Sequence, residues 1–410
     1  MKPRKYSVRL VYNGAQATDE ISPYLNSFSY KDGIDESDTV SITLLDRDGR
    51  WTEGWIPQKE DLLNPDICLE GWNSENDRRT IVCGSFMVDD FSFSGPPDML
   101  VINGISSPLQ TDFKETKRSQ TWKDVTIRQI GAEIAGRYGL SPVFEGTDVK
   151  ISKMEQSSQT DADFLKKLAE KYGFAMKVYS SRLILFERSI YEEREPVCRI
   201  TKEEVRKWSC KSSMLGTYTG AKVSYTDPKT KQTTEIMVGT EGRIYRTSEK
   251  ADSPADAELI GKNAIRNANR RETTISLTLN PPASFFASEN ISLTGFGKLD
   301  GIYQVEKLVH QISKSDYSVQ VSGWKIREND NQLERGKTEG DSQESGSEKY
   351  EVDTGDTLWD LAEKFYGDNT AYMKIYEANQ EIIEKTAKEH GKENSANGYW
   401  LWKGTVLTIP

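Results

Sequence analysis

GFGKLDGIYQVEKLVHQISKSDYSVQVSGWKI, residues 295–326, reads as two long strands folded back on each other. In IYQVEKLVHQIS and YSVQVSGWKI branched and aromatic residues recur with polar ones between them, and Gly, Asp and Ser punctuate the ends. Gly295, Gly297 and Gly301 follow the spacing G-x-G-x-x-x-G, and no helix comes after them. A dinucleotide phosphate would find no helix N-terminus there, whereas tight hairpin turns account for all three glycines. His310 lies inside the alternating strand. A catalytic histidine needs a nucleophile or carboxylate held beside it, and no motif names one, so it reads as a hydrogen-bonded strand residue.

Upstream, the same texture continues. GAKVSY, TEIMVG, ISLTLN and ENISLTG read as strands within 197–326. One helix interrupts them, with Ser253 as N-cap, Pro254 at its first position, Asp256 and Glu258 as early acids, and Leu259, Ile260, Ala264 and Ile265 as its apolar face. Residues 1–110 are also strand-rich: SVRLVY (7–12), VSITLLD (40–46), ICLEGW (67–72), SFMVDDFSF (85–93) and MLVINGI (99–105). Short strands with regular turn signals point to a small barrel or sandwich.

Between them, 111–196 changes period. Thr126-Ile127-Arg128-Gln129 fits a capping box, in which a Thr oxygen takes an orphan amide and a Gln reaches back. Ile127, Ile130, Ile134 and Tyr138 follow on one helical stripe, ended by Gly139. Thr160 and Asp163 open a second helix carrying Phe164, Leu165, Leu168, Ala169 and Tyr172, ended by Gly173. FAMKVY and RLILFE around Ser180-Ser181 form a hairpin. The expected fold is mainly β: two small tube-like β-barrel domains, 1–110 and 197–326, flank an α+β insert domain at 111–196.

Composition narrows what such a chain does. Of the net charge of −10, residues 328–410 hold 18 acidic and 9 basic side chains. Residues 327–348, RENDNQLERGKTEGDSQESGSE, contain one large apolar residue and read as a flexible acidic linker. No basic stripe is present to displace counterions from nucleic acid. No apolar run approaches the ~18 residues of a membrane helix. MKPRKYSVRLVY lacks an apolar signal core, so the expected site of synthesis is the cytoplasm, without a signal peptide. Cys68, Cys83, Cys198 and Cys210 form no CxxC pair, which predicts no metal site and reduced thiols. Asp46-Arg47-Asp48-Gly49 brings its glycine too early for a calcium loop and reads as a strand turn. Trp51, Trp55 and Trp72, near turns, read as barrel anchors or interface residues. No catalytic constellation and no cofactor are expected.

The last segment, 349–410, runs KYEVDTGDTLWDLAEKFYGDNTAYMKIYEANQ and ends LWKGTVLTIP. Tyr350 and Val352 start a strand, Thr357 caps a helix bearing Leu358, Leu361, Ala362 and Phe365, and Tyr372, Ile375, Tyr376 and Ala378 mark a second helix ending at Asn379. Val406, Leu407 and Ile409 close as a strand. This β-α-α-β order, with GDTLW, YGD, IYEAN and KGTVLTIP in sequence, resembles a LysM module. The resemblance implies binding of an N-acetylglucosamine glycan between the first strand–helix loop and the second helix–strand loop. Carried over by motif, Asp353, Gly355, Asp356, Thr357 and Asn379 are the glycan-binding candidates. Residues 380–402 are longer than the family's loop and partly helix-like, so a docking role between proteins is the other expectation.

Residues 1–326 resemble the late control protein D family, related to the hub of contractile phage tails and to the base of type VI secretion spikes. QSSQTDADFLKKLAEKYGFAMKV (156–178) carries the likeness, with TWKDVTIRQIGAEIAGRYGL and the closing hairpin GFGKLDGIYQVEKLVHQIS. The resemblance implies a homotrimeric ring of six similar barrels that matches a six-fold tail tube to a three-fold spike, assembled in a virion tail or a bacteriocin-like particle. Its partners would be the tail tube protein, the central spike protein and baseplate wedge proteins, with peptidoglycan reached through the LysM module. The competing expectation is a LysM-anchored cell-wall enzyme or adhesin.

Overall fold

The structure, a computed structural model, describes residues 4–106 apart from 73, 75 and 76, residues 112–327 apart from 228, 229 and 282, and residues 348–352, 356–366, 372–390, 395 and 401–409. Two compact units divide the chain, Met1–Gly336 and Lys337–Pro410. The chain is mainly β, with its strand-rich regions flanking an α+β part, as the sequence predicts.

In the first unit the strand Gly301–Ser313 is the pivot. One of its edges pairs with Tyr317–Lys325, Leu308 opposite Val321 and Ile312 opposite Tyr317. Its other edge is shared. The first residues pair with Asn290–Thr294, and the later ones with Leu25–Gly33, where His310 faces Tyr30. A single sheet therefore passes from the C-terminal strand region into the N-terminal one. Its order is Val205–Ser212, Thr273–Leu279, Tyr317–Lys325, Gly301–Ser313, Leu25–Gly33, Thr39–Leu45, Met99–Ile105, Phe86–Ser94, Leu62–Glu70, Lys5–Tyr12, Ala15–Gln16. The inward-facing residues of both regions form one core: Phe28, Ile42, Leu63, Ile67 and Ile102 from the first, Ile275, Val305, Leu308, Val319 and Val321 from the second. Alternation of buried and exposed positions along each strand is what brings these side chains to one face.

Gly295, Gly297 and Gly301 all have positive φ, at +84°, +69° and +144°, in the turn that joins Asn290–Thr294 to Gly301–Ser313. The carboxylate of Asp300 accepts from the Phe296 amide at 2.6 Å and the Gly295 amide at 3.2 Å. The hairpin reading of this stretch is correct.

The α+β part begins as expected. Helix Ile127–Arg137 has the Thr126–Gln129 capping box, and helix Asp161–Lys171 has Thr160 accepting from the Asp163 amide. The hairpin Phe174–Tyr179 with Arg182–Glu187 turns at Ser180 and Ser181, both at positive φ, and Ser141–Glu145 adds in parallel. Helix Pro254–Asn269, capped by Ser253, does not lie on the large sheet. It covers a separate three-stranded sheet of Thr233–Gly239, Gly220–Thr226 and Ile244–Ala251. Val223, Ala251, Ala257 and Ile260 join the α+β core with Leu165 and Leu168. Gly261 permits this approach, since a Cβ there would meet Val238 at 2.6 Å.

The second unit has the β-α-α-β order. Glu348–Glu351 pairs antiparallel with Val406–Ile409, and helices Leu358–Tyr366 and Tyr372–Glu389 lie between them in sequence. Val352, Leu358, Leu361, Ile375, Tyr376, Ile383 and Leu407 are its core. One expectation is corrected. The second helix does not stop at Asn379 but continues to Glu389, because Ile383 and Ala387 extend the buried stripe of Ile375 and Asn379 at spacings of four. Most of the segment read as a flexible linker, residues 328–347, lies outside the described residues.

Candidate functional site

The loop proposed to meet a sugar starts where strand Glu348–Glu351 gives way to helix Leu358–Tyr366. Asp353 and Gly355 lie outside the described residues. Thr357 is the N-cap. Its hydroxyl oxygen accepts from the Asp360 amide at 3.1 Å and its proton goes to the Asp360 carboxylate at 2.6 Å. Asp356 accepts from the Tyr350 hydroxyl at 2.8 Å, which ties the loop to the strand before it. Both side chains thus hold the loop's shape.

Asn379 is placed differently from the expectation. It is buried, and its amide donates to the carbonyls of Ile375 at 2.8 Å and Thr408 at 2.7 Å while its oxygen accepts from the Thr408 amide at 2.7 Å. Asn379 pins the second helix to the closing strand. A further tie comes from the helical extension: Tyr376 donates to Glu384 at 2.8 Å, and Ser395 donates to it through its amide at 3.1 Å and through its hydroxyl. The bonds from Ser395 and Tyr376 hold the Glu384 carboxyl below its usual range. His390 is exposed at the helix end and stacks on Trp402 at 4.9 Å.

A second polar constellation escaped the sequence reading. The strand Leu25–Gly33 runs into KDGIDESD, a run that looks like a solvated acidic loop. It instead docks against Phe174–Tyr179. Lys177 pairs with Asp32 and lies 3.5 Å from Asp38, and both carboxylates are fully buried. Asp32 also accepts from the Ala287 amide at 2.8 Å, and Asp38 from the Tyr30 hydroxyl at 3.2 Å. Arg188 pairs with Asp35, whose backbone and side chain exchange hydrogen bonds with Met176. Burial is the main reason the Asp38 carboxyl is pushed up to about 7, against the pull of Lys177. These groups join the large sheet to the α+β part, with Asp32 and Asp38 fully buried between them. The sequence signal was present only as a density of acids; the cations of Asp32, Asp35 and Asp38 lie more than 130 positions away.

QSSQTDADFL owes its residues to another buried carboxylate. Asp161 accepts from Gln156 at 2.7 Å, Tyr138 at 2.7 Å and Arg137 at 3.2 Å. His310 is buried, its Nδ1 is 2.8 Å from the Tyr317 hydroxyl, and its ring stacks on Tyr30 at 5.9 Å. Burial lowers its pKa to about 4, so it is neutral. Asp46 accepts from the amides of Trp51 and Thr52 at 3.0 and 3.1 Å and shapes a turn. Burial raises its pKa, but these bonds outweigh that and hold it low. The four cysteines are free thiols; burial raises the pKa of Cys83, Cys198 and Cys210. Among the described residues no group of three His, Cys, Asp or Glu side chains is set to hold a metal ion, and no helix is long and apolar enough to cross a membrane.

Comparison with known proteins gives a family for each unit. The model of the phage tail baseplate hub family (GPD) matches residues 106–316, and the LysM domain model matches residues 350–386. A probable baseplate hub protein of Escherichia phage P2 is 30% identical over 236 residues, 54% of this chain and 57% of that protein. The chain therefore spans somewhat more than half of that relative's length. The 43 kDa tail protein of prophage MuSo2 from Shewanella oneidensis has the same fold, with a TM-score of 0.61 at 10% identity over 78% of this chain and 99% of that one. A component of the E. coli type VI secretion system, itself described as similar to T4 bacteriophage tail proteins, aligns at a TM-score of 0.50 and 10% identity over 79% of this chain and 77% of that one.

Proposed function

Because the chain belongs to the phage tail baseplate hub family, we propose that it is the structural hub of a contractile phage-like tail or bacteriocin baseplate. Three copies form a ring that joins the tail tube to the central spike, with wedge proteins around it. The observation that carries this reading is the shared sheet. Gly301–Ser313 fuses the two strand regions into one core, so a load applied to one region reaches the other through backbone hydrogen bonds rather than through a hinge. A ring of such units needs two different surfaces on each chain that complement each other, and no catalytic group. Light scattering on the full chain tests it: three chains per particle support the ring, and one chain at every concentration overturns it.

The LysM unit binds peptidoglycan in this reading, through backbone groups of the loop at Asp356 and Thr357. A second reading, docking to a neighbouring baseplate protein, is favoured by the helix that runs ten residues past Asn379 and is tied back by Glu384. Co-sedimentation of the chain with purified peptidoglycan separates the two. Retention that free N-acetylglucosamine oligomers compete away supports glycan binding, and no retention supports protein docking. The chain carries out no hydrolysis in either case; release of sugar from cell-wall material, abolished by one carboxylate substitution, would contradict that.

A further inference from the structure

The ring reading leaves open which surfaces meet, and two features at opposite ends of the strand order answer each other. At one end, strand Val205–Ser212 pairs only with Thr273–Leu279 among the described strands, so its outer edge is unpaired. It bears Lys207 and Lys211 and no acid, Arg206 being paired with Asp316 at 2.8 Å, and Trp208 is exposed. An open edge eight residues long invites another chain unless something covers it. Directly after it, the turn at 213–217 points two apolar side chains into solvent, Met214 at 72% and Leu215 at 93% exposure. Hydrogen bonds set the shape of the turn. The Met214 carbonyl accepts from the Thr217 hydroxyl at 2.9 Å and from Arg243 at 3.1 Å, the Leu215 amide donates to the Ser213 hydroxyl at 3.2 Å, and Gly216 takes φ +84°. A fixed apolar knob carries little ordering cost when it is covered.

At the other end, near Lys5–Tyr12 and Ala15–Gln16, an open cavity of about 440 Å³ enters the core. Leu10, Tyr12, Ile21, Trp51, Trp55 and Ile102 line it, with Trp55 edge-on to Tyr12 at 5.0 Å and to Trp51 at 5.6 Å. A concave aromatic site of this size suits an apolar guest. The segments at its mouth carry exposed Asp19, Asp48 and Glu53 against Arg47, while Glu20 and Arg50 pair with each other. The acidic mouth and the basic strand are opposite in charge, and such complementarity fixes register where two copies meet.

Resting on the ring reading, we infer that the Met214–Leu215 turn of one chain seats in the Trp51–Trp55 cavity of the next copy. The contact joins different surfaces of identical chains, so it repeats by one rotation and closes when that rotation does. It also places the basic edge strand against the neighbour.

Cysteine pairing tests the contact on the full chain. Ala15 lines the cavity and is exposed, and Leu215 is the knob tip. Mixing Ala15→Cys chains with Leu215→Cys chains under mild oxidation is expected to give a disulfide-linked pair that neither variant gives alone. The doubly substituted chain is expected to give closed covalent rings. As a second arm, Met214→Asp with Leu215→Asp changes only exposed positions and leaves the melting temperature in place, while the concentration needed for assembly rises at least tenfold. If the parent chain assembles but the mixture gives no linked pair, or the aspartates leave assembly unchanged, this contact is wrong and the ring stands. If the parent is one chain at all concentrations, the ring reading itself fails, and the contact with it.

Discussion

At Lys177 one ammonium faces two buried carboxylates, and it neutralises one negative charge of the two. Asp32 takes the closer contact and the Ala287 amide, so Asp38 is the group that takes up a proton, at about 7. Replacing Lys177 with Met leaves both acids without a cation, a change that costs about 3–5 kcal/mol in comparable buried pairs; chemical denaturation of the variant measures it. The same region holds an opposing group. The folded chain binds the Asp38 proton before the unfolded chain does, so stability is gained as pH falls from 7 towards 4. His310 has its pKa lowered to about 4. There the unfolded chain binds first, and stability is lost as pH falls from 6.5 to 4, by ~3 kcal/mol over the window. The two slopes oppose each other. Relative to the parent, His310→Phe is expected to gain stability as pH falls and Asp38→Asn to lose it, in melting temperatures recorded from pH 7 to 4.5. Parallel profiles for all three proteins would show that neither group titrates as described.

Among elements, the hairpin Gly301–Ser313 with Tyr317–Lys325 has the least tolerance. A Cβ at Gly323 would fall 2.2 Å from the Gln304 carbonyl oxygen, so one strand must move. Gly323→Ala is expected to lower stability by about 1–3 kcal/mol, as overpacking does, and to be felt throughout the sheet. Thr160→Ala removes one cap and is expected to cost ~1 kcal/mol, confined to the α+β part; hydrogen exchange resolved by segment distinguishes the two patterns. Elements with local causes were legible in the sequence. Thr126, Thr160 and Ser253 cap their helices through amides three residues on, and Ser180-Ser181 turns its hairpin through its own backbone. Leu25–Gly33 was not legible, because Phe28 and Tyr30 are its main apolar residues and, of its two partner strands, Gly301–Ser313 lies more than 260 positions later. The helix to Glu389 was half legible: its stripe continues through Asn379, a residue that reads as a stop until Thr408 is seen to satisfy its side chain. The candidate site was legible as a module and not as contacts.

Across the whole molecule, the strand regions look like two domains along the sequence and behave as one body, since the sheet and core are continuous between them. Unfolding of residues 4–327 should therefore be a joint event for both strand regions, with no separate transition for either. The LysM unit, with its own core, adds a second transition. Removing residues 337–410 is expected to leave the assembly state unchanged and to abolish any peptidoglycan retention. The measurement that bears most directly on the hub is the mass of the full chain in solution by light scattering, taken across concentration. The account predicts a particle of three chains whose formation the Met214→Asp, Leu215→Asp variant impairs; a particle of one chain throughout the range would contradict it.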